Sequence, residues 1–428
     1  MQPCGRALEG AWASAARLLE GAHDLVLARA EGGEAPAWCV ARGWEPFLRG
    51  LSDDDTAAAE REGLSALSRV AGAPPSLLAF AREVERVVAV GPLSPADLGP
   101  ALAPLPPSDL PLGVRGRRAS DRKWAQVVAF AAACAPLARA CSRVVDVGSG
   151  HGHLTRHLAE AFGRPALGLE RDAARVAVAT ALSRPASGAA TPSRPAGGAA
   201  TFVTADLFRE GLAIGAGDLV VGLHACGDLG DLALDAASRA GAPLALVSCC
   251  LQKTRAAARL PRESPAGVDP ARLVWPREVL GLSNLAQRAE GVEASLEQNL
   301  RARQNRCALA WLLRERGLSI GRGEELAGVN RRRAHAPLDE FAGFALARRG
   351  LAPPTAAELA RAAEAGAASY ARARRYELPR NALGRVLEVF VLYDRARALG
   401  ARGYAVAAGV LFSDAWSPRN LALLAAPA

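Results

Sequence analysis

Lysine is nearly missing from this chain. Of 52 basic residues only Lys123 and Lys253 are lysine; the rest are arginine. Asparagine is also scarce, with six residues, all from Asn284 onward, and the four tyrosines likewise lie in the C-terminal part. Alanine, glycine, proline and arginine dominate, as expected of GC-rich coding, so residues outside that vocabulary mark 284–420 as a stretch where polar chemistry matters. No uncharged apolar run is long enough to cross a bilayer. The N-terminal MQPCGRALEGAWASAARLLEGAHD lacks a basic segment followed by a purely apolar one, so no secretory leader is expected. These absences exclude a membrane partner and make the cytoplasm the expected location. The eight cysteines are scattered without a C-x-x-C pair, and a chain of 428 residues can bury a core without staples. All eight are expected to be reduced, and no metal is expected.

The charge is unevenly placed. Residues 1–250 carry 24 basic and 26 acidic side chains, a net of −2, whereas 251–428 carry 28 and 17, a net of +11. A cationic half suggests an anionic partner, RNA being the one expected, although a solvated basic face gives the same composition. Oligomeric state is not legible.

Four segments are read along the chain. Residues 1–118 are a helical N-terminal region, with apolar residues at helical spacing in ASAARLLEGAHDLVLARA and LLAFAREVERVVAV, closed by a Pro-rich linker from Pro92 to Pro111. Residues 119–254 alternate strand and helix. Strands are expected at Arg143–Val147, Ala166–Glu170, Thr201–Thr204, Asp218–Leu223 and Leu244–Cys249, and helices near Ser120, His151, Asp172 and Asp228, which implies a parallel sheet covered on both faces. A Pro/Gly/Ser/Ala-rich insertion, 183–199, interrupts it and is expected to be disordered. Residues 255–380 form an Arg-rich, partly helical insertion, a candidate substrate platform. There Arg301, Arg303 and Arg306 surround Asn305, Arg331 to Arg333 follow Asn330, and Arg372, Arg374 and Arg375 precede Tyr376. Residues 381–428 close the core with a helix from about Leu383 to Leu399 and two apolar runs, YAVAAGVLF and NLALLAAPA, expected as an antiparallel strand pair.

The stretch VVDVGSGHGHL, Val144 to Leu154, reads as a buried strand, a glycine turn and a helix start. Its glycines, Gly148, Gly150 and Gly152, are not spaced as the G-x-G-x-x-G that faces a pyrophosphate. An acid, Asp146, precedes the first glycine, and a carboxylate there would repel a pyrophosphate but suits a ligand carrying an ammonium and a sulfonium. Glu170, at the end of the second strand and 22 residues after Gly148, is placed for ribose hydroxyls. Asp206 in TADLF is placed for an adenine. Each acid could instead be a solvated helix cap; their common order points to S-adenosylmethionine (SAM). Asp146, Gly148, Ser149, Gly150, Gly152, Glu170, Asp206 and His224 are therefore the expected cofactor residues. The loop resembles that of class I SAM methyltransferases, which implies a Rossmann-like α/β fold with a mostly parallel seven-stranded sheet.

A second constellation, GLHACGDLGDLAL, follows the fourth strand. His224 ends that strand in the crevice where parallel sheets bind ligands, although a lone histidine there is more often a core residue. Asp228 and Asp231 may be read as helix caps. A zinc site from His224, Cys226, Cys249 and Cys250 stays an alternative without the usual paired spacing. The pattern H-x-C-G-x-x-x-D-L-x-L (His224, Cys226, Gly227, Asp231, Leu232) followed by Cys249–Cys250 resembles the eukaryotic tRNA 2′-O-methyltransferases of the acceptor stem and a set of methyltransferase-like proteins sharing their domain. SPRNLALLA is similar to the end of the second group. After Cys250 this chain reads LQKT, where the tRNA group has a His- and Cys-containing run. The resemblance implies a SAM-dependent methyltransferase. An N/D-P-P-Y/F/W signature is lacking after the fourth strand, which argues against an exocyclic adenine nitrogen. Lys123, Asp228 and Lys253 follow the order of the Lys-Asp-Lys-Glu set of some RNA 2′-O-methyltransferases. With His224 they are the candidate catalytic residues, against the plain reading of two surface lysines. The expected acceptor is RNA, with a ribose hydroxyl as the target; a protein acceptor, a small molecule and a non-catalytic SAM-binding role remain the alternatives.

Overall fold

A computed structural model describes residues 3–30, 33–98, 120–183, 198–284, 296–321 and 323–428. Most of the expected disordered insertion (184–197) and most of the Pro-rich linker (99–111) lie outside the described residues. The chain divides into two compact units. The first comprises Met1–His23, Arg86–Gln287 and Leu383–Ala428; the second comprises Asp24–Glu85 and Arg288–Ala382.

The first unit is built on a seven-stranded sheet. Its strands are β1 (Arg143–Val147), β2 (Ala166–Glu170), β3 (Ala200–Thr204), β4 (Asp218–Leu223), β5 (Leu244–Val247), β8 (Tyr404–Val410) and β9 (Leu421–Pro427). A separate two-stranded ribbon supplies β6 (Ala258–Arg259) and β7 (Trp275–Pro276). The sheet order is β3-β2-β1-β4-β5-β9-β8, parallel except where β9 pairs antiparallel with both β5 and β8. The strands β1, β4, β5 and β9 are almost wholly buried, which is why they read as continuous Val/Leu/Ala runs rather than alternating ones. The order reverses between β1 and β4, and this opens a crevice at the strands' carboxyl ends.

The helix Asp121–Ala138 begins where Ser120 accepts the Lys123 N–H, and it packs Val127, Phe130 and Leu137 into the core beside Val144, Leu219 and Leu424. Where sequence and structure differ by two residues or more, three of the boundaries have local reasons. The helix after β1 starts at His153, not His151, because Gly152 still holds a left-handed conformation, φ +70°. β5 stops at Val247, where its register with β9 ends at Ala422. The closing helix starts earlier, at Leu378, with Pro379 tolerated in its first turn.

The start of the linker is not free. Pro92 bridges to Val410 at the sheet edge, with Leu93 N–H donating to Val410 O and Val410 N–H to Gly91 O, both 2.8 Å. A Cβ on Gly409 would lie 2.6 Å from the Leu93 nitrogen, so this junction requires glycine. Among the described residues no helix is long and apolar enough to cross a membrane.

The two units redraw the four-segment reading. Residues 255–284 pack in the sheet-bearing unit, as does the first helix, whose Trp12 is fully buried beneath the Arg397 guanidinium. The second unit joins 24–85 to 288–382 through bonds between residues hundreds of positions apart. Arg374 pairs with Glu60, Arg375 with Asp53, and the fully buried Arg380 donates to Val26 O. Amphipathic periodicity shows that a helix has a buried face but not which segment covers it.

Candidate active site

The glycine turn after β1 requires its glycines. Gly148, Gly150 and Gly152 all have φ between +56° and +75°, where a side chain is strained, and a Cβ on Gly152 would run into the Phe202 ring. The turn is fixed from β2. Leu169 O accepts the N–H groups of both Gly148 (2.8 Å) and Ser149 (3.0 Å). Glu170 accepts Gly150 N–H through one oxygen and Asp172 N–H through the other, each at 3.0 Å. The acid at the end of β2 thus organises the loop while standing where a ribose-binding acid is expected. The Ser149 hydroxyl is buried and has no hydrogen-bond partner, which is how a loop that closes around a polar ligand looks without one.

Asp146 lies in β1, two residues before the first glycine of the turn. It is 2% exposed and accepts from Thr155 Oγ1 at 2.6 Å. Burial pushes its carboxyl up to about 7, against the Thr155 bond and helped by the nearby Glu170 charge. Asp206 accepts Phe208 N–H and caps the short helix Leu207–Glu210, which is the capping role weighed for it.

His224 stands just beyond β4 in a left-handed conformation, φ +69°, and is the one non-glycine with positive φ among the described residues. Its Nε2 lies 2.8 Å from Gln126 Oε1, and Gln126 Nε2 donates to Trp416 O at 2.9 Å. The second bond orients the amide, so the ring nitrogen facing Oε1 must carry the proton. Nδ1 is then the lone-pair nitrogen. Burial, with the charges of Arg419 and Lys123, pushes His224 down to about 4, so the ring is neutral at physiological pH. His153 and His157 are also pushed down to about 4, chiefly by burial, and Trp124 meets the His157 ring edge-on at 5.0 Å.

Lys123 is exposed on the first turn of its helix, close enough to lower both His153 and His224. Lys253 is exposed, and its backbone rather than its amine is engaged, since its carbonyl accepts Asp228 N–H at 3.3 Å. The Asp228 carboxylate accepts Arg255 N–H at 2.6 Å. Among the described residues no side-chain hydrogen bond links Lys123, Asp228 and Lys253; Asp228 and Lys253 meet through their backbones alone.

Three of the cysteines meet at the ends of two neighbouring strands. β4 and β5 are parallel neighbours, and the residues just past their ends bring the Cys226 and Cys249 sulfurs together, with Cα atoms 5.2 Å apart. Cys250 completes a group whose sulfurs all lie within 4.8 Å of one another. The Cys250 sulfur lies 3.9 Å from Arg419 Nη1, and the three sulfurs are grouped as the zinc alternative requires. A recess beside this group is walled by Leu246, Leu251, Val391, Leu421 and the buried Glu388.

Residues 122–257 match a family model described as a methyltransferase domain. The match lies within the sheet-bearing unit, and by this domain the protein is a SAM-dependent methyltransferase. No curated protein matches the sequence. Among solved structures, coclaurine N-methyltransferase bound to N-methylheliamine and SAH shares 14% identity, covering 78% of this chain and 93% of that one, with a TM-score of 0.25. SAM is the methyltransferase's cofactor, and the unpartnered Ser149 hydroxyl, the Cβ-free turn and Glu170 fit it. Gln126, Trp416 and Arg419 were missed in the sequence because they reach the site from a flanking helix and from the β8–β9 loop, and no local spacing ties them to it.

Proposed function

We propose that the methyl acceptor is RNA, and that His224 meets the acceptor hydroxyl. The observation that carries the RNA reading is a cationic cluster in the second unit, of three arginines around one glutamate. Arg303, Arg306 and Arg331 lie close enough that burial and the charges of Arg306 and Arg303 lower the Arg331 guanidinium. Glu325 neutralises Arg306, while Arg303 donates to a neutral partner, the Tyr370 hydroxyl, at 3.1 Å. Cations that destabilise one another favour an anion between them. Other arginines of the expected platform are absorbed internally: Arg316 by Glu358, Arg374 by Glu60, Arg375 by Asp53.

When bound, SAM supplies a methyl group already activated on a sulfonium. The protein's remaining tasks are alignment and management of the acceptor's proton. A neutral His224 with Nε2–H held by Gln126 offers Nδ1 to a hydroxyl. Lys123, the one candidate lysine within electrostatic reach of that ring, adds positive charge where an alkoxide would develop. The test is tritium transfer from labelled SAM into fractionated total RNA, protein and small molecules. Label in nuclease-sensitive material, lost with His224→Gln, is the expected result. Label confined to protein or small molecules would refute the RNA reading.

A further inference from the structure

Asp231 belongs to the H-x-C-G-x-x-x-D pattern, yet it touches neither the glycine turn nor His224. Its partners show what it does. The Arg395 guanidinium, 2% exposed, donates from Nε to Asp231 Oδ1 (3.0 Å) and from Nη2 to Asp231 Oδ2 (2.9 Å). The same guanidinium donates to Gly227 O (2.9 Å) and to Ser248 Oγ (2.5 Å). Gly227 follows β4 three residues after His224, and Ser248 is the first residue past β5. One buried cation therefore ties the carboxyl ends of β4 and β5, the first of which borders the crevice.

The turn it grips has little freedom of its own. Gly227 has φ +52° and ψ −126°, and a Cβ there would collide with the Lys253 carbonyl. His224 keeps its positive φ only if both sides of the bend are fixed. The ring side is fixed by Gln126, and Ala225 N–H donates to Val247 O at 3.1 Å. Arg395 fixes the far side. A buried guanidinium is costly unless paired, and the pairing is built in. Burial would raise the Asp231 carboxyl, but Arg395 and Arg259 hold it well below the usual carboxylate range. Arg259 bridges onward to Asp394, and Arg262 joins Asp231 to Asp235.

We propose that Arg395, charge-fixed by Asp231, is a positioning residue that holds the His224 bend in its working conformation. This rests on the reading of His224 as the acceptor-facing group. The test uses the full chain with ¹⁵N-labelled histidine, comparing Arg395→Met, Arg395→Lys and Asp231→Asn with Asp394→Asn. The last breaks the same buried network without touching Gly227 or Ser248. The ring nitrogens of His224, assigned with His224→Gln, should report a fixed Nε2–H tautomer in the wild type and in D394N. R395M and D231N should show averaged nitrogens, with R395K partly restoring the fixed form. SAM affinity should stay within about threefold in all of them, because the glycine turn is untouched, while methyl transfer should fall by about tenfold or more in R395M. A His224 signal unchanged in folded R395M or D231N, or changed equally by D394N, overturns the proposal; if R395M does not fold, R395K and D231N decide it. Transfer retained in H224Q would remove the catalytic reading of His224 yet leave the nitrogen readout to judge the positioning.

Discussion

Asp146 and Gln126 are single residues whose surroundings set their chemistry. The Asp146 carboxyl has a folded value near 7, above its unfolded one of roughly 3.9. The folded state therefore holds the extra proton between those values, and the residue's contribution to stability is full below about pH 4 and is lost as pH rises through 7. Asp146→Asn removes this dependence while still accepting from Thr155. Denaturant unfolding of the pair from pH 4 to 8 should show the wild type losing, relative to the variant, on the order of a few kcal/mol. The three histidines pushed down to about 4 act in the opposite sense, costing stability as pH falls below their ordinary range, and they cancel in that difference. Gln126→Leu leaves the Trp416 carbonyl and the His224 N–H without partners, so equilibrium unfolding should register a loss of about 1–3 kcal/mol. The glycines of the turn were legible because only glycine tolerates their backbone angles. The burial of Asp146 was not, since an acid after a Val-Val run reads alike whether its carboxyl meets solvent or a threonine on the next helix.

The elements of the sheet were the most legible part. Five parallel strands fell within two residues of their expected limits because buried strands between helices leave continuous apolar runs. The closing pair was found from YAVAAGVLF and NLALLAAPA, whose cores became β8 and β9. What the pattern could not carry was anything requiring a partner far along the chain, such as the Gly91–Leu93 bridge to β8 or the grip of Arg395 on the ends of β4 and β5. Gly152→Ala tests the turn as an element. Forcing a side chain into left-handed backbone costs about 1–2 kcal/mol, and the Phe202 ring must also move. The variant should melt several degrees lower and lose most of its SAM affinity, read by thermal scan and isothermal titration. Affinity within experimental scatter of the wild type would show that the turn is not the cofactor loop.

At the scale of the molecule, the second unit is stitched from two distant segments, and its ion pairs are structural. Arg374 and Glu60 have side chains only 9% and 19% exposed. Removing one member leaves the other charge buried and alone, so Glu60→Gln should lower the unfolding free energy of that unit by about 3 kcal/mol. Cations outside such pairs carry the RNA reading. If Arg331 and Arg332, both exposed, meet phosphates, each change to alanine should reduce the slope of log affinity against log salt by about 0.7 for single-stranded RNA. Filter binding across a salt series measures it, and unchanged slopes would count against phosphate contact there.

The place of β9 has a consequence for how the chain matures. It follows β8 in sequence yet lies between β5 and β8. During vectorial synthesis β5 is completed long before its antiparallel neighbour emerges, and β8 cannot join the sheet without it. Until then the Leu244–Val247 edge presents unpaired backbone groups on an apolar strand, a template for pairing with another nascent chain. The window of vulnerability lasts for the translation of more than 170 residues, so a newly made chain needs shielding at that edge, by a chaperone or by its own provisional collapse, before it can become an enzyme.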